Sequence, residues 1–234
     1  TGVPRYSVSL GAVTAGPPPP RVWAIVVGAG SGTRFGRPKQ FELIGSERVL
    51  DRSVRIAREA CDGVVVVVPP DLADREGAVA GGATRAASVA RGLAEVPHDA
   101  DVVVVHDAAR PLATPDLYAR VIAAVVAGAD GVVPGVPVAD TIKLVDAAGH
   151  VVDTPDRASL IAVQTPQAFR GSALRAAHAD PSLVDDPSVT DDAAMIERRG
   201  GTVVVVAGDP VNRKITHPDD LEWARRQVGA PAHA

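Results

Sequence analysis

Hydrophobic residues along this chain form short, valine-rich runs that alternate with segments of helical periodicity. Runs of this length, bounded by glycine, proline or aspartate, are typical of strands buried on both faces of a sheet. Strands are predicted at 22–27, 64–68, 102–105, 131–134 and 202–206. Helices are predicted near 50–60, 85–94, 115–127, 171–178 and 218–228, with one more that Thr190 would cap. The alternation indicates an α/β fold, with a mainly parallel wound sheet and helices on both faces.

Residues 136–164 interrupt this alternation and predict a β-hairpin. Two short alternating runs lie on either side of Asp146-Ala147-Ala148-Gly149, which is a turn sequence. A hairpin inserted in a wound sheet is either an arm that reaches another subunit or a decoration on the surface of the same chain. The pattern alone leaves both interpretations open.

The chain is predicted to divide into one domain and two tails. Residues 1–20 have neither helical nor strand periodicity and end in four prolines, so we expect a flexible tail with a stiff polyproline end. A single domain is expected over 21–228, from which an arm at 136–162 would protrude. Residues 229–234 would form a short C-terminal tail.

Composition narrows the class of protein. The chain has 46% hydrophobic but only 3% aromatic residues and a formal net charge of −4, which argues against a protein that coats nucleic acid. Its one cysteine, Cys61, excludes an intrachain disulfide and a cysteine-based zinc cluster. No apolar run approaches the ~20 residues of a membrane helix, and no signal-peptide pattern opens the chain. We therefore expect a cytoplasmic protein that binds neither membranes nor nucleic acid.

A glycine-rich loop, VVGAGSGTRFGRPKQ at 26–40, follows the first predicted strand. It lacks the dinucleotide fingerprint G-x-G-x-x-G, because the third glycine position holds Thr33 or Phe35, depending on where the motif starts. It is not a P-loop either, since Gly36 lies one residue too close to Gly32 and an arginine follows it. The loop therefore needs another interpretation.

Such a loop still allows backbone N–H groups to approach phosphate oxygens closely. Arg34 and Lys39 at its exit can neutralise those oxygens. In wound sheets, ligands bind beyond the carboxyl ends of the strands, where other loops should contribute. Those loops carry Gly82 with Ser88, Asp107, and Lys214. A carboxylate beside phosphates, such as that of Asp107, can bind Mg²⁺ or a ribose hydroxyl.

Seven motifs follow one another between about residues 22 and 228. They read GAGSGTRFGRPKQF, GGATRAAS, VHDAARP, PVADTIK, DRASLIAVQTPQAF, VTDDAAMIE and NRKITHPDDL. Together and in this order, they resemble the motifs of 2-C-methyl-D-erythritol 4-phosphate cytidylyltransferases. The resemblance implies a Rossmann-like sheet of the nucleotidyltransferase type. It also implies an enzyme that uses CTP, methylerythritol phosphate and Mg²⁺ to make CDP-methylerythritol and pyrophosphate in non-mevalonate isoprenoid biosynthesis.

The resemblance assigns roles to individual residues. The implied catalytic residues, which would clamp the CTP phosphates, are Arg34, Lys39 and Lys214. The implied CTP-binding residues are Gly28, Ala29, Gly30, Gly32, Gly82, Ser88 and Asp107, and Asp107 would also bind the metal. The implied residues for methylerythritol phosphate are Arg110, Thr141, Arg157, Thr165 and Thr190. Thr141 and Arg157 would act on the neighbouring subunit's substrate, which favours a homodimer joined by the arm.

The implied reaction needs no covalent enzyme intermediate. A phosphate monoester is already a nucleophile near pH 7, because its second pKa is about 6. The protein's contribution would be positioning and charge stabilisation. His106 is therefore expected to be structural rather than catalytic.

Two positions depart from the usual family pattern. The first loop reads Val27-Gly28-Ala29-Gly30 where the family usually has Pro-Ala-Ala-Gly, an exchange of small residues that should preserve backbone contacts. Ala83 stands where the family often has an acidic residue. A side-chain contact to cytosine from this position is therefore not expected, which bears on the selectivity for CTP.

Three alternative functions remain at this point. A cytidylyltransferase for another polyol phosphate, such as ribitol 5-phosphate, would share the fold, the loops and the metal. A GT-A glycosyltransferase would need Asp-x-Asp after a strand, whereas Asp99 and Asp101 precede one. A non-catalytic nucleotide-binding module would bind nucleotide without releasing pyrophosphate.

Overall fold

The computed structural model of the protein describes residues 18–30, 32, 35–184, 186 and 188–229. Most of the predicted N-terminal tail, the predicted C-terminal tail beyond Gly229 and the predicted catalytic residue Arg34 lie outside these ranges. The division into one domain and two tails therefore stays a prediction. Among the helices of the described ranges, none is long and apolar enough to cross a membrane.

Strands and helices alternate through the described chain. The strands are β1 (Val22–Val27), β2 (Leu43–Ile44), β3 (Glu47–Arg48), β4 (Gly63–Val68), β5 (Val79–Ala80), β6 (Val102–Asp107), β7 (Gly131–Pro137), β8 (Leu144–Val145), β9 (Val151–Asp153), β10 (Ile161–Val163), β11 (Gln167–Arg170) and β12 (Val203–Ala207). The helices are α1 (Val49–Ala60), α2 (Ala73–Glu76), α3 (Arg85–Ala94), α4 (Pro115–Val126), α5 (Gly171–His178), α6 (Pro181–Val184), α7 (Asp192–Arg198) and α8 (Pro218–Gly229). Short 3₁₀ helices occur at Lys39–Phe41, Pro70–Leu72 and Arg157–Ser159.

The central sheet is mixed but largely parallel, as predicted. Its strand order is β10-β7-β11-β6-β1-β4-β5, and β12 pairs with β7. β1 runs parallel to β4 and β6, β4 to β5, and β7 to β12. The carboxyl ends of β1, β4 and β6 therefore meet at one edge, where the loops that follow them come together.

An antiparallel strand that the hydrophobic pattern did not predict lies between β6 and β7. β11 pairs with both of these strands in the antiparallel sense. Its four residues, QAFR, are too few to carry a periodic signal, and burial on both faces removes the alternation expected of an antiparallel strand. The prediction of a strand at each valine run was confirmed, but it left out this short insertion.

The cap predicted for α7 was wrong by one residue. Asp191, rather than Thr190, caps the helix, because its side chain accepts a hydrogen bond of 3.0 Å from the backbone N–H of Ala194. Asp191 has the extended backbone of an N-cap residue, and the helix begins at Asp192. Thr190 is exposed before the helix begins.

Two hydrophobic clusters cover the two faces of the sheet. On one face, alternate residues of β1 and β6 such as Ala24 and Val104 pack against α1 and α4. On the other face, Ile25, Val103 and Val105 pack with residues of α3, α5 and α7. Valine and alanine suffice for this core because each strand is covered on both sides.

Gly92 sets how closely α3 lies on the sheet. A Cβ atom at this position would lie 2.7 Å from Cγ2 of Ile25 and 2.9 Å from Cγ2 of Val67. Both partners are buried, β-branched residues whose side chains have little freedom to move away. The close approach matters for the site, because the first turn of α3 carries polar residues at the edge of the sheet.

The predicted hairpin is formed by β8 and β9, which pair in the antiparallel sense. The side chain of Asp146 closes its turn by accepting hydrogen bonds of 2.9 Å from the backbone N–H groups of Ala148 and His150. The hairpin exposes large apolar side chains, including Leu144, Val145, Val151 and Val152.

His106, near the end of β6, has the contacts of a structural residue. Its Nδ1 lies 3.1 Å from the Thr165 hydroxyl, and its Nε2 lies 3.2 Å from the Arg110 carbonyl oxygen. Burial lowers the pKa of His106 to about 4, so the ring is neutral near pH 7. Since a carbonyl oxygen only accepts, Nε2 carries the proton, and the Thr165 hydroxyl donates to Nδ1.

We expect the substitution Gly92→Ala to lower the free energy of unfolding by about 1–3 kcal/mol, because the added methyl group overpacks the face between α3 and the sheet. Alanine is intrinsically a better helix former than glycine by about 1 kcal/mol, so a loss of stability would identify packing as the cause. Urea unfolding at equilibrium measures the change. The control is Ala119→Gly at an exposed position of α4, which reports the helix-propensity term alone. Stabilisation by Gly92→Ala would contradict the packing argument.

Candidate active site

A cavity of about 520 Å³ opens at the carboxyl edge of the sheet. Its wall is built from four segments: the glycine loop after β1, the turn before α3, the end of β6 and the residues after β12. These are the segments that the sequence predicted to meet. The cavity lies at the edge where ligands of wound α/β sheets bind.

The glycine loop forms one wall of the cavity with its backbone. Gly28 donates a backbone hydrogen bond of 2.7 Å to Val67 in β4, which ties the loop to the sheet. Gly32 has a positive φ of 72°, and a Cβ atom there would clash with the Arg37 carbonyl group. Gln40 donates a hydrogen bond of 3.2 Å from its side chain to the Gly30 carbonyl oxygen. These contacts connect Gly28 to the sheet and Gly30 to the end of the loop.

All the predicted site residues of this loop that the structure describes line the cavity, namely Gly28, Ala29, Gly30, Gly32 and Lys39. Pro38 precedes the 3₁₀ turn that begins at Lys39. The remaining predicted residue, Arg34, lies outside the described residues.

The turn before α3 forms the opposite wall. Gly81 and Ala29 approach so closely that a side chain at Gly81 would collide with the Ala29 methyl group. Gly82 donates its backbone N–H to the Ser88 hydroxyl oxygen at 3.0 Å, and that hydroxyl donates to the Thr84 carbonyl oxygen at 2.9 Å. Gly82, Ala83 and Ser88 all line the cavity. Apart from Arg85, small residues therefore shape this end.

Asp107, the last residue of β6, supplies the carboxylate at the cavity. Its Oδ2 accepts a hydrogen bond of 2.6 Å from Nζ of Lys214, and its Oδ1 accepts one of 3.2 Å from Nε of Arg85. Burial alone would raise the pKa of Asp107, but the charges of Arg85 and Lys214 outweigh it and hold the pKa well below its usual range. Asp107 is therefore a carboxylate at any working pH, and the sequence prediction had paired it with neither cation.

Arg85 is a residue of this edge that the sequence reasoning missed. It lines the cavity, and its Nη1 donates a hydrogen bond of 2.6 Å to Oδ2 of Asp192. Asp192 in turn lies 2.8 Å from Nε2 of His178. Arg85 and Asp192 are separated by 107 residues, so no local spacing could indicate the pair. The motifs GGATRAAS and VTDDAAMIE contain both residues, but neither motif alone indicates that they meet.

Arg110 and Thr165 lie beside the Asp107 edge and are not part of the cavity wall. Thr165 accepts a hydrogen bond of 3.0 Å from the backbone N–H of Asp107. Arg110 donates 2.8 Å and 3.3 Å hydrogen bonds to the carbonyl oxygens of Asn212 and Val163. Both residues thus join the segment before β11 to the end of β6.

Thr190 belongs to a second, smaller cavity of about 280 Å³. Thr84 and Arg85 line both cavities, so the two are neighbours. The structure therefore brings Thr190 near the predicted CTP-binding cavity without making it part of the wall.

The arm residues Thr141 and Arg157 are exposed and lie outside both cavities. Arg157 donates a hydrogen bond of 3.0 Å to the carbonyl oxygen of Ala139 within the arm. Within the described residues of one chain, these two side chains therefore do not lie at either cavity, although the sequence predicted that they contact a substrate.

The cavity suits a divalent metal that arrives with a nucleotide. Within the described ranges, no group of three or more His, Cys, Asp or Glu residues could hold a metal by itself. Mg²⁺ is usually bound by one or two carboxylates together with substrate phosphates and water. Asp107, an ionised carboxylate on the cavity wall, fits that single-ligand role.

The chain matches known proteins over nearly its whole described length. The family model "IspD: 2-C-methyl-D-erythritol 4-phosphate cytidylyltransferase" matches residues 22–229. The 2-C-methyl-D-erythritol 4-phosphate cytidylyltransferase of Rhodococcus opacus (strain B4) is 45% identical over 224 residues, which cover 91% of this chain and 97% of that protein. That of Frankia casuarinae is 45% identical over 217 residues, 88% of this chain and 80% of that protein.

Solved structures agree with the sequence matches. The 2-C-methyl-D-erythritol 4-phosphate cytidylyltransferase of Thermus thermophilus superimposes with a TM-score of 0.77 at 33% identity, covering 90% of this chain and all of that one. The 4-diphosphocytidyl-2C-methyl-D-erythritol synthase of Anaerococcus prevotii superimposes with a TM-score of 0.79 at 27% identity, covering 90% and 97% of the two chains.

The resemblance seen in the seven motifs is thereby confirmed, and it is favoured over the ribitol phosphate, glycosyltransferase and non-catalytic alternatives. The match spans the sheet and every segment that forms the larger cavity. The chain belongs to the 2-C-methyl-D-erythritol 4-phosphate cytidylyltransferase family, enzymes of isoprenoid biosynthesis that transfer CMP from CTP to methylerythritol phosphate.

Proposed function

We propose that CMP transfer takes place at the Asp107–Lys214 edge of the larger cavity. The observation that carries this proposal is the 2.6 Å ion pair between these residues, on a cavity wall to which Gly28, Gly30 and Gly32 also contribute. A phosphate oxygen of methylerythritol phosphate would attack the α-phosphorus of CTP and form the new P–O bond. The bond from the α-phosphorus to the bridging oxygen would break, and its electron pair would leave with pyrophosphate.

The glycine loop would bind the CTP phosphates. Gly28, Gly30 and Gly32 line the cavity, and glycine allows backbone N–H groups to approach phosphate oxygens closely. Lys39 lines the same wall and would neutralise part of the triphosphate charge. For Arg34, the role that the family resemblance implies, clamping the CTP phosphates, remains a prediction.

Lys214 would stabilise the charge that develops at the α-phosphoryl group. Its side chain is about two-fifths exposed, so the ammonium group can turn from Asp107 towards a ligand in the cavity. A positioned cation acting on a developing charge is among the largest contributions that a site can make. Asp107 would hold the family's divalent metal through one oxygen, and that metal, when bound, would neutralise phosphate charge.

Cytosine and ribose would lie at the turn before α3. The side chains that line the cavity there are those of Ala29, Ala83, Thr84, Arg85 and Ser88. Because Ala83 has no carboxylate, the base would be recognised by backbone groups of the turn and by shape. This supports the earlier expectation that base selectivity does not rest on a side chain at this position.

The acceptor would bind beside this edge, with part of its site supplied by a second subunit. Arg110 and Thr165 lie beside the Asp107 edge and Thr190 lines the neighbouring smaller cavity, whereas Thr141 and Arg157 lie on the exposed arm. We therefore propose a homodimer in which the arm completes the neighbouring site. The apolar side chains that the hairpin exposes support this, because contiguous exposed apolar residues mark interaction surfaces.

We expect Lys214→Ala to lower kcat on the order of 10²-fold, the scale for removing one charge-stabilising donor. Pyrophosphate release from CTP, methylerythritol phosphate and Mg²⁺ measures it at saturating substrate. The matched control is Arg213→Ala, since this neighbouring cation packs over Trp223 at 4.7 Å instead of facing the cavity. The control should keep kcat within about twofold, because exposed charges contribute little.

Equal losses in the two variants would mean that only the overall charge of the segment matters, and a change in KM alone would reduce Lys214 to a binding residue. Either result would contradict its proposed role at the α-phosphate.

Arg157→Ala and Lys39→Ala should each be inactive as pure proteins. A dimer with one subunit of each kind would contain one site with both defects and one intact site, if each site draws on both chains. Mixing equal amounts and allowing subunit exchange should therefore restore about a quarter of the wild-type activity. A mixture that stays inactive after exchange has been verified would contradict the shared site.

A further inference from the structure

Five side chains form an unbroken row that leads from the cavity into the core, in which two cations alternate with two carboxylates and a histidine is the innermost member. Lys214 bonds to Oδ2 of Asp107 at 2.6 Å, and Oδ1 of Asp107 bonds to Nε of Arg85 at 3.2 Å. Nη1 of Arg85 bonds to Oδ2 of Asp192 at 2.6 Å, and Oδ1 of Asp192 lies 2.8 Å from Nε2 of His178. Each carboxylate uses both oxygens, and each oxygen has a different partner.

The inner end of the row is deeply buried. The side chains of Asp192 and His178 are 1% and 3% exposed. Burial alone would raise the pKa of Asp192, but the charge of Arg85 and the hydrogen bond from His178 lower it, so Asp192 stays ionised. A buried ion pair is a weak source of stability compared with apolar packing, so stability alone gives little reason for charges at this place.

The backbone gives this inner end little freedom. Asp192 is the first residue of α7, whose start is fixed by the Asp191 cap, and His178 is the last residue of α5. α5 and α7 both pack on the sheet in the same hydrophobic cluster. The Asp192–His178 pair is therefore a fixed point against which Arg85 is held.

We propose that Arg85 is a positioning residue for the transfer. The Asp192–His178 pair fixes its guanidinium group, and the guanidinium holds Oδ1 of Asp107, so that this carboxylate keeps its place when Lys214 turns from Oδ2 to the α-phosphate. This inference rests on the role proposed above for Lys214 and Asp107.

The geometry explains why this position holds an arginine. Nε and Nη1 of Arg85 address two different carboxylates at once, with directions fixed by one rigid plane. A lysine ammonium at the end of a flexible stem would not fix that angle. When Lys214 leaves Oδ2, the charge of Asp107 remains partnered by Arg85, so the turn does not leave a buried carboxylate without a cation.

Asp192 and His178 lie outside the wall of the larger cavity, which makes the proposal testable. Asp192 is connected to the larger cavity through Arg85, and it lines the smaller cavity together with Asp191. Its neighbour Asp191 offers a matched control, because it caps the same helix and accepts a hydrogen bond of 2.9 Å from Gln167 without belonging to the row. Both residues also lie next to Thr190, so Asp191 controls for local disturbance of that residue.

The experiment compares Asp192→Asn with Asp191→Asn, each alone and combined with Lys214→Ala. Asp192→Asn should lower kcat on the order of 10-fold, the scale for removing a partner that orients a functional group, with the KM for CTP unchanged within about twofold. Asp191→Asn should change kcat less than about twofold, even if it lowers the Tm as much as Asp192→Asn does. In the Lys214→Ala background, Asp192→Asn should cost almost nothing more, because both changes act on the same interaction.

The proposal is overturned if Asp192→Asn leaves kcat unchanged, if Asp191→Asn is equally damaging, or if the loss from Asp192→Asn is the same with and without Lys214. Should Asp192→Asn not fold, His178→Ala replaces it in the same cycle. That variant removes the partner of Oδ1 and keeps the ion pair with Arg85, and a loss of kcat about threefold that depends on Lys214 is expected. A Lys214→Ala enzyme with full kcat would instead overturn the role of Lys214 itself, which separates the two failures.

Discussion

The site depends on one buried carboxylate with two cationic partners. Asp107 ends the central strand β6 and would be costly to bury as an ion without Lys214 on one oxygen and Arg85 on the other. The two cations come from segments far apart in the chain, after β12 and at the start of α3. The contacts of Asp107 therefore join the end of β6 to two of the other segments that form the cavity.

The shape of the cavity at this edge of the sheet depends on how closely the backbone segments approach one another. Gly81 lies against Ala29, Gly32 lies against the Arg37 carbonyl group, and Gly92 allows α3 to lie close to the sheet. These approaches bring backbone groups to a cavity wall that also carries the side chains of Lys39 and Lys214. A pair of polyanionic substrates needs such a surface, where N–H groups and a few fixed cations face phosphate oxygens.

Much of the fold could be predicted from the sequence because its signals are local. Valine runs identify strands buried on both faces, and the periodic segments between them identify the helices. The short β11 and the cap at Asp191 were missed, because four residues carry no period and neighbouring Thr190 and Asp191 are both good caps. The motifs indicated several of the cavity residues, including Lys39, Asp107 and Lys214. The contacts of Arg85 with Asp192 and of Asp192 with His178 join distant positions without any local signal.

A structure of the protein with CTP and Mg²⁺ bound would test the central claim most directly, because it would reveal where Lys214 and Asp107 lie relative to the α-phosphate. The account predicts that Nζ of Lys214 moves to within about 3 Å of an α-phosphate oxygen, while Nε of Arg85 remains on Oδ1 of Asp107. Triphosphate bound elsewhere, with Lys214 still on Oδ2 of Asp107, would contradict it.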